Sequence, residues 1–219
     1  MILKAHYYLV PTCFARAFRL RHRAYAEVLE PLQSAYTPQL VVQGQQHLVG
    51  GSRVSVVRCV EHQAARLRRA AKTKQCCTLS LRLQRVGQLR VQVVVAFDVP
   101  PPPPLRPARQ RRRSSSSEDG PDDAEQPVTA GERAVMVALV EDARLTKILK
   151  GDNRGATLRN DRIVRGAWCL DASVGEGARG RVGAVLDVPE DVLGRLSVVA
   201  WLQQVYSLRV DAVVQARVV

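Results

Sequence analysis

From Cys76 onward apolar residues alternate with polar ones, and this period of two constrains the chain more than any other feature. Leu79, Leu81 and Leu83 fall on one side and Ser80, Arg82 and Gln84 on the other, the pattern of a half-buried strand. After a Val86-Gly87-Gln88 turn, Leu89 to Phe97 continues as a second strand. The pattern resumes at Ala134 to Val140, Val182 to Val188, Leu196 to Leu202 and Leu208 to Val218. About six strands separated by turn signals suit an antiparallel sandwich over residues 76–219. Glu141 to Trp168 is polar and punctuated by glycine, and reads as a long connection followed by one further strand.

The first 75 residues have a different character. Phe18, Tyr25, Val28, Leu29 and Leu32 recur at helical spacing, and Pro31 should close that helix near Glu30. In YTPQLVVQG, Thr37-Pro38 leads into the run Leu40 to Val42, and Gly44 turns the chain toward a second run, His47 to Val49. Proline fixes its own φ and lacks an N–H, so it belongs at the entry of a strand. Ser52 is a suitable N-cap. The helix that follows carries Val54, Val57, Val60, Ala64, Leu67 and Ala71 as one stripe, with Arg53, Arg58, Arg66, Arg68, Arg69, Lys72 and Lys74 outside it. A solvated basic face is the plain reading of that run.

Between Asp98 and Gly131 stand five consecutive prolines, Arg111 to Arg113, four serines and an acidic patch. Such a composition cannot bury enough apolar surface to order itself, so 98–131 reads as a disordered insertion between strands.

The formal net charge is +13, and residues 1–77 hold 12 basic against 3 acidic side chains. Nucleic acid or an anionic membrane surface would accept this excess. Arginine outnumbers lysine 28 to 5, however, as genome bias would produce, and aromatics are not interleaved with the basic residues. Nucleic acid is disfavoured on that ground. No run reaches the roughly 20 apolar residues of a membrane span. A soluble protein of a reducing compartment such as the cytoplasm, or of an organelle, fits both this and the five scattered cysteines, Cys13, Cys59, Cys76, Cys77 and Cys169.

Other signals carry less. Gly175, Gly177 and Gly180 spell a dinucleotide fingerprint, but a strand pattern rather than a helix follows. The four histidines are dispersed. Asp152, Asn153 and Asp161 lack the spacing of an EF-hand, and no Cys/His pair has zinc-finger spacing. No metal or cofactor is assigned.

Two stretches resemble one family. FRLRHRAYAEVL…YTPQLVVQGQQHLVG is similar to TxRQRAYxxxLG…YTPQxVVxGxxxxVG of the DUF1223 proteins, uncharacterised thioredoxin-like proteins of bacteria and plants. ALVEDARLTKILKGDNRGATLRNDRIVR resembles that family's ALxExGLxTxVxxGENxGRxLxxxxVVR. The matching positions include Tyr36, Thr37, Pro38, Gln39, Gly44, Gly151, Asn153, Gly155 and Arg165. The resemblance implies an α+β chain: a thioredoxin-like domain over residues 1–75, then a β-sandwich over 76–219. It makes Pro38 the cis-proline wall of a redox pocket. The family's SQGCSSCPPAD-like segment has no counterpart here, so the chain reads as lacking the first strand and the cysteine-bearing helix. Cys13, the one possible redox thiol, has no partner two residues away. Ala156 stands for a usual arginine and Asp152 for a glutamate.

Three functional readings follow. The first is a noncatalytic protein acting by binding or structure, with a protein partner or with itself through an exposed sheet edge. The second is a thiol-disulfide oxidoreductase whose CxxC segment is missing from the chain. The third is a binder of nucleic acid or of an anionic membrane surface through the basic helix.

Overall fold

Valines at alternate positions of one strand set the architecture. The computed structural model describes residues 12–29, 36, 38–49, 51–71, 76–102, 131–192 and 194–219. Within β4 (Arg90–Asp98), Val91, Val93 and Val95 are completely buried, while Arg90 and Gln92 face solvent. Beside β4 lie β3 (Thr78–Arg85) and β9 (Arg179–Asp187), giving a three-stranded antiparallel sheet in the order β3-β4-β9. A second sheet holds β5 (Arg133–Asp142), β8 (Ile163–Val174), β10 (Arg195–Gln204) and β11 (Val210–Arg217) in the order β11-β10-β5-β8, again antiparallel throughout.

The two sheets pack face to face. Val91, Val93, Val95, Phe97 and Leu186 from one meet Val135, Val137, Leu139, Val198, Ala200 and Leu202 from the other. Burying this many aliphatic side chains is the main driving force for the fold, at about 25 cal/mol per Å² of apolar surface. The strands β3, β4, β5, β9, β10 and β11 lie where the alternation places them.

Strands β5 and β10 are covered on both faces, which is why they read as nearly continuous apolar runs. On the outer side Ala138, Val140, Val199, Trp201 and Val210 form a second cluster. The helix α1 (Thr12–Val28) reaches it through the side chains of Arg21 and Tyr25. Arg21 stacks on the Trp201 ring, 5.5 Å from its centroid, and donates to Gln203 Oε1 at 2.8 Å. Gln203 Nε2 donates to Tyr25 Oη at 3.1 Å.

A short hairpin, β1 (Gln39–Val42) and β2 (Gln46–Val49), follows, and then α2 (Arg53–Ala71). Ser52 caps α2 as expected, its Oγ accepting from Ser55 N–H at 3.3 Å. The hairpin turn docks on the β10–β11 turn, with Val210 N–H donating to the Gln43 carbonyl at 2.9 Å. Gly44, at φ +67°, passes so close that a Cβ there would sit 1.9 Å from the Leu208 carbonyl oxygen.

The α+β expectation is overturned. Eleven strands and two helices make up the described residues, and every strand pairing is antiparallel. A thioredoxin-like sheet would need β1 to continue into further strands with helices on both faces. Instead, among the described residues β1 pairs with β2 alone, and α1 touches the outer face of the sandwich at Trp201 and Gln203. The fold is a β-sandwich with short helical additions.

Residues 1–10, Thr37 and residues 103–130 lie outside the described residues. Val99 and Pro100, at the start of the expected insertion, belong to the sandwich: Val99 is 1% exposed and its N–H donates to the Ala178 carbonyl at 2.9 Å, and the Pro100 carbonyl accepts from Gly177 N–H at 3.2 Å.

Candidate functional site

Strand β5 ends on an unusual choice. Val135, Val137 and Leu139 face the inter-sheet core, and alternation then brings Glu141 to the next inward position, where it is completely buried. An unpaired carboxylate there would cost several kcal/mol, so partners must converge on it. Glu141 Oε2 lies 3.3 Å from Arg144 Nη1 and 3.4 Å from Arg165 Nη1, and Oε1 accepts from Gly194 N–H at 2.9 Å. Both arginines also hold Asp191. Arg144 Nη2 is 3.0 Å from its Oδ2, Arg144 Nη1 donates to its carbonyl at 2.8 Å, and Arg165 Nη2 bonds its Oδ1. Two guanidinium groups thus lie between two carboxylates, and the cluster is neutral. The hydrogen bond from Arg165, aided by the Arg144 charge, holds the Asp191 carboxyl below its ordinary range. Gly194 is required for the approach, since a Cβ there would stand 2.0 Å from the Asp142 carbonyl oxygen.

This cluster is the base of a second hairpin, β6 (Arg144–Lys147) and β7 (Thr157–Asn160), which continues β5 and leads into β8. Its two hinges mirror each other. Ala143 and Arg162 both adopt positive φ, 61° and 62°. Ala143 N–H donates to Asp161 Oδ1 at 2.8 Å, and Arg162 N–H donates to Asp142 Oδ1 at 2.9 Å. Side chains in place of ladder carbonyls let both strands bend away from the sandwich without losing hydrogen bonds.

At the far end, Gly155 N–H donates to the Ile148 carbonyl at 2.8 Å and Ala156 N–H to the Asn153 carbonyl at 3.0 Å. Gly151 and Gly155 hold φ of 82° and 88°, which glycine adopts at little cost. The polar stretch expected as a connection is therefore an arm. It touches little but itself. Register places Leu145, Lys147, Thr157 and Arg159 on one face, all exposed. Leu149 is 71% exposed near the tip, beside Lys150 and Arg154. Among the described residues each arm strand has one hydrogen-bonded neighbour, which leaves an outer edge of each open.

The residues named by family resemblance fall at two places. Gly151, Asn153 and Gly155 shape the tip of the arm, and Arg165 belongs to its base. Gln39 opens β1, Gly44 turns the first hairpin, and Pro38 is exposed immediately before β1. Tyr36 Oη and His47 Nδ1 lie 2.9 Å apart, and burial pushes the phenol pKa up. Because Gly44 meets the loop after β10 and the arm meets the start of β10, the two groups occupy opposite ends of that strand. Cys13 lies in the first turn of α1, and its side chain is outside the described residues. Glu141, Arg144 and Asp191 escaped the sequence reading. The parity of Glu141 with Val135, Val137 and Leu139 was the available signal.

The described thiols point away from exchange chemistry. Burial pushes Cys59, Cys77 and Cys169 up in pKa, whereas an attacking thiolate requires the opposite. Cys59 donates to Gln46 Oε1 at 3.1 Å. No helix among the described residues is long and apolar enough to cross a membrane.

No protein-family model and no curated protein matches the sequence. Among solved structures, HBP35 of Porphyromonas gingivalis is similar over 92% of this chain, with a TM-score of 0.49 and 11% identity. The chain spans 58% of that protein's length.

Proposed function

We propose that this chain is a relative of the DUF1223 proteins that acts by binding rather than by redox catalysis, and that the β6–β7 arm is its recognition element. The observation that carries the reading is the arm itself: an exposed two-stranded ribbon with edges open among the described residues, fixed to the sandwich by an ion cluster built on the buried Glu141. Main-chain groups along an open edge recruit an extended peptide, and alternate side chains select it. Here the selecting face pairs Leu145 with Lys147 and Arg159, and Lys150 and Arg154 add charge at the tip against Asp152 alone. The matching partner is an extended protein segment alternating acidic and aliphatic residues. The raised thiols of Cys59, Cys77 and Cys169 weigh against exchange chemistry at those three positions.

A fluorescent peptide alternating glutamate and valine, and its lysine–valine counterpart, test the reading by anisotropy. The acidic peptide binds and is weakened by salt, and the basic one does not bind. Equal binding of both peptides, or of neither, overturns the proposal.

A further inference from the structure

The apolar stripe of α2 is only partly used. The helix packs on the β1–β2 hairpin through a narrow, largely polar side: Gln63 is 3% exposed, Cys59 bonds Gln46, and Arg66 donates to Gln45 at 3.2 Å. Val54, Val57 and Leu67 remain 70%, 44% and 41% exposed. Arg53, Arg58, Arg68 and Arg69 are exposed as well, and Glu61 is the only acidic residue on the helix.

We infer that this side of α2 seats on a phospholipid surface bearing anionic headgroups. Charge complementarity supplies the long-range attraction, which is confined to about a Debye length. The aliphatic residues distinguish lipid from nucleic acid. Val54 and Val57 lie one helical turn apart on the same side, with Arg53, Arg58 and Arg68 beside them and Glu61 on that side as well. The aliphatic pair can enter the interface while the long arginine side chains reach the headgroups. A phosphodiester backbone would make no use of them, and the helix carries no aromatic side chain to stack on bases. This surface is separate from the arm, which takes a protein segment.

The test is cosedimentation of the full chain with vesicles of phosphatidylcholine alone, or with phosphatidylglycerol as about one lipid in three, where partitioning should rise about tenfold. Folding of each variant is checked by its thermal transition. Arg58→Glu with Arg68→Glu and Arg69→Glu should abolish the gain. Val54→Ser with Val57→Ser, which keeps every charge, should weaken vesicle binding severalfold and leave retention on heparin unchanged. Lys147→Glu with Arg159→Glu, on the arm, should leave vesicle binding intact. The inference is overturned if anionic lipid makes no difference, if the serine variant binds vesicles like the parent, or if duplex DNA is bound more tightly than the vesicles.

Discussion

Asp142 and Asp161 each bind the main chain at the other's hinge: Asp142 accepts from Arg162 N–H at 2.9 Å, and Asp161 accepts from Ala143 N–H at 2.8 Å. This reciprocal pair turns two sandwich strands into a rigid arm. Asp161→Ala leaves an N–H without its partner, at a cost of about 1 kcal/mol that is confined to the hinge. Amide exchange should accelerate across β6 and β7 and stay unchanged in β4 and β10.

Glu141 carries a heavier load, because its removal leaves Arg144 and Arg165 sharing Asp191 alone. Glu141→Ala should destabilise the whole sandwich by about 3 kcal/mol, the usual cost of stripping one partner from a buried pair. Chemical denaturation measures it. The acid side of the stability profile reports the same cluster. Asp191 has a folded pKa below its ordinary value of 3.8. Its contribution is therefore full above that value and disappears as the pH falls through the lower folded pKa. Asp191→Asn should flatten that part of the profile.

Gly44 is required twice over, by its positive φ and by its approach to Leu208. Gly44→Ala should lift the β1–β2 hairpin from the β10–β11 turn at a cost of at least about 1 kcal/mol. Proteolysis after β2 should quicken while the sandwich stays intact.

Desolvation of Cys59, Cys77 and Cys169 predicts sluggish alkylation at neutral pH, with rates that climb with pH and level off only above the ordinary thiol value of 9.0. Rapid modification of any of the three near neutrality would contradict the noncatalytic reading. Iodoacetamide labelling followed by mass spectrometry resolves the sites.

How much of this was legible in the sequence depends on what holds each element. Strands β3 and β4 follow from alternation, because Leu79, Leu81, Val91 and Val93 are placed by the core they fill. Strands β6 and β7 are four residues each, RLTK and TLRN, and no periodicity survives at that length. Charges brought together from Glu141, Arg144, Arg165 and Asp191 hold them, and nothing local announces the contact of Arg144 with Asp191 across 47 residues. The apolar stripe of α2 was visible, but a stripe says which side is apolar and not whether anything covers it. The α+β expectation failed similarly: helix α1 was foreseen, and its contact with Trp201 through Arg21 was not.

The central claim is that the charge on the arm selects the partner, and a charge swap tests it most directly. Lys147→Glu with Arg159→Glu leaves the Glu141 cluster untouched, since both residues are exposed, and gives up the 3.7 Å ion pair of Arg159 with Asp161. Anisotropy titrations of this variant should show loss of the glutamate–valine peptide and gain of the lysine–valine peptide. Undiminished binding of the acidic peptide by the variant would contradict the account.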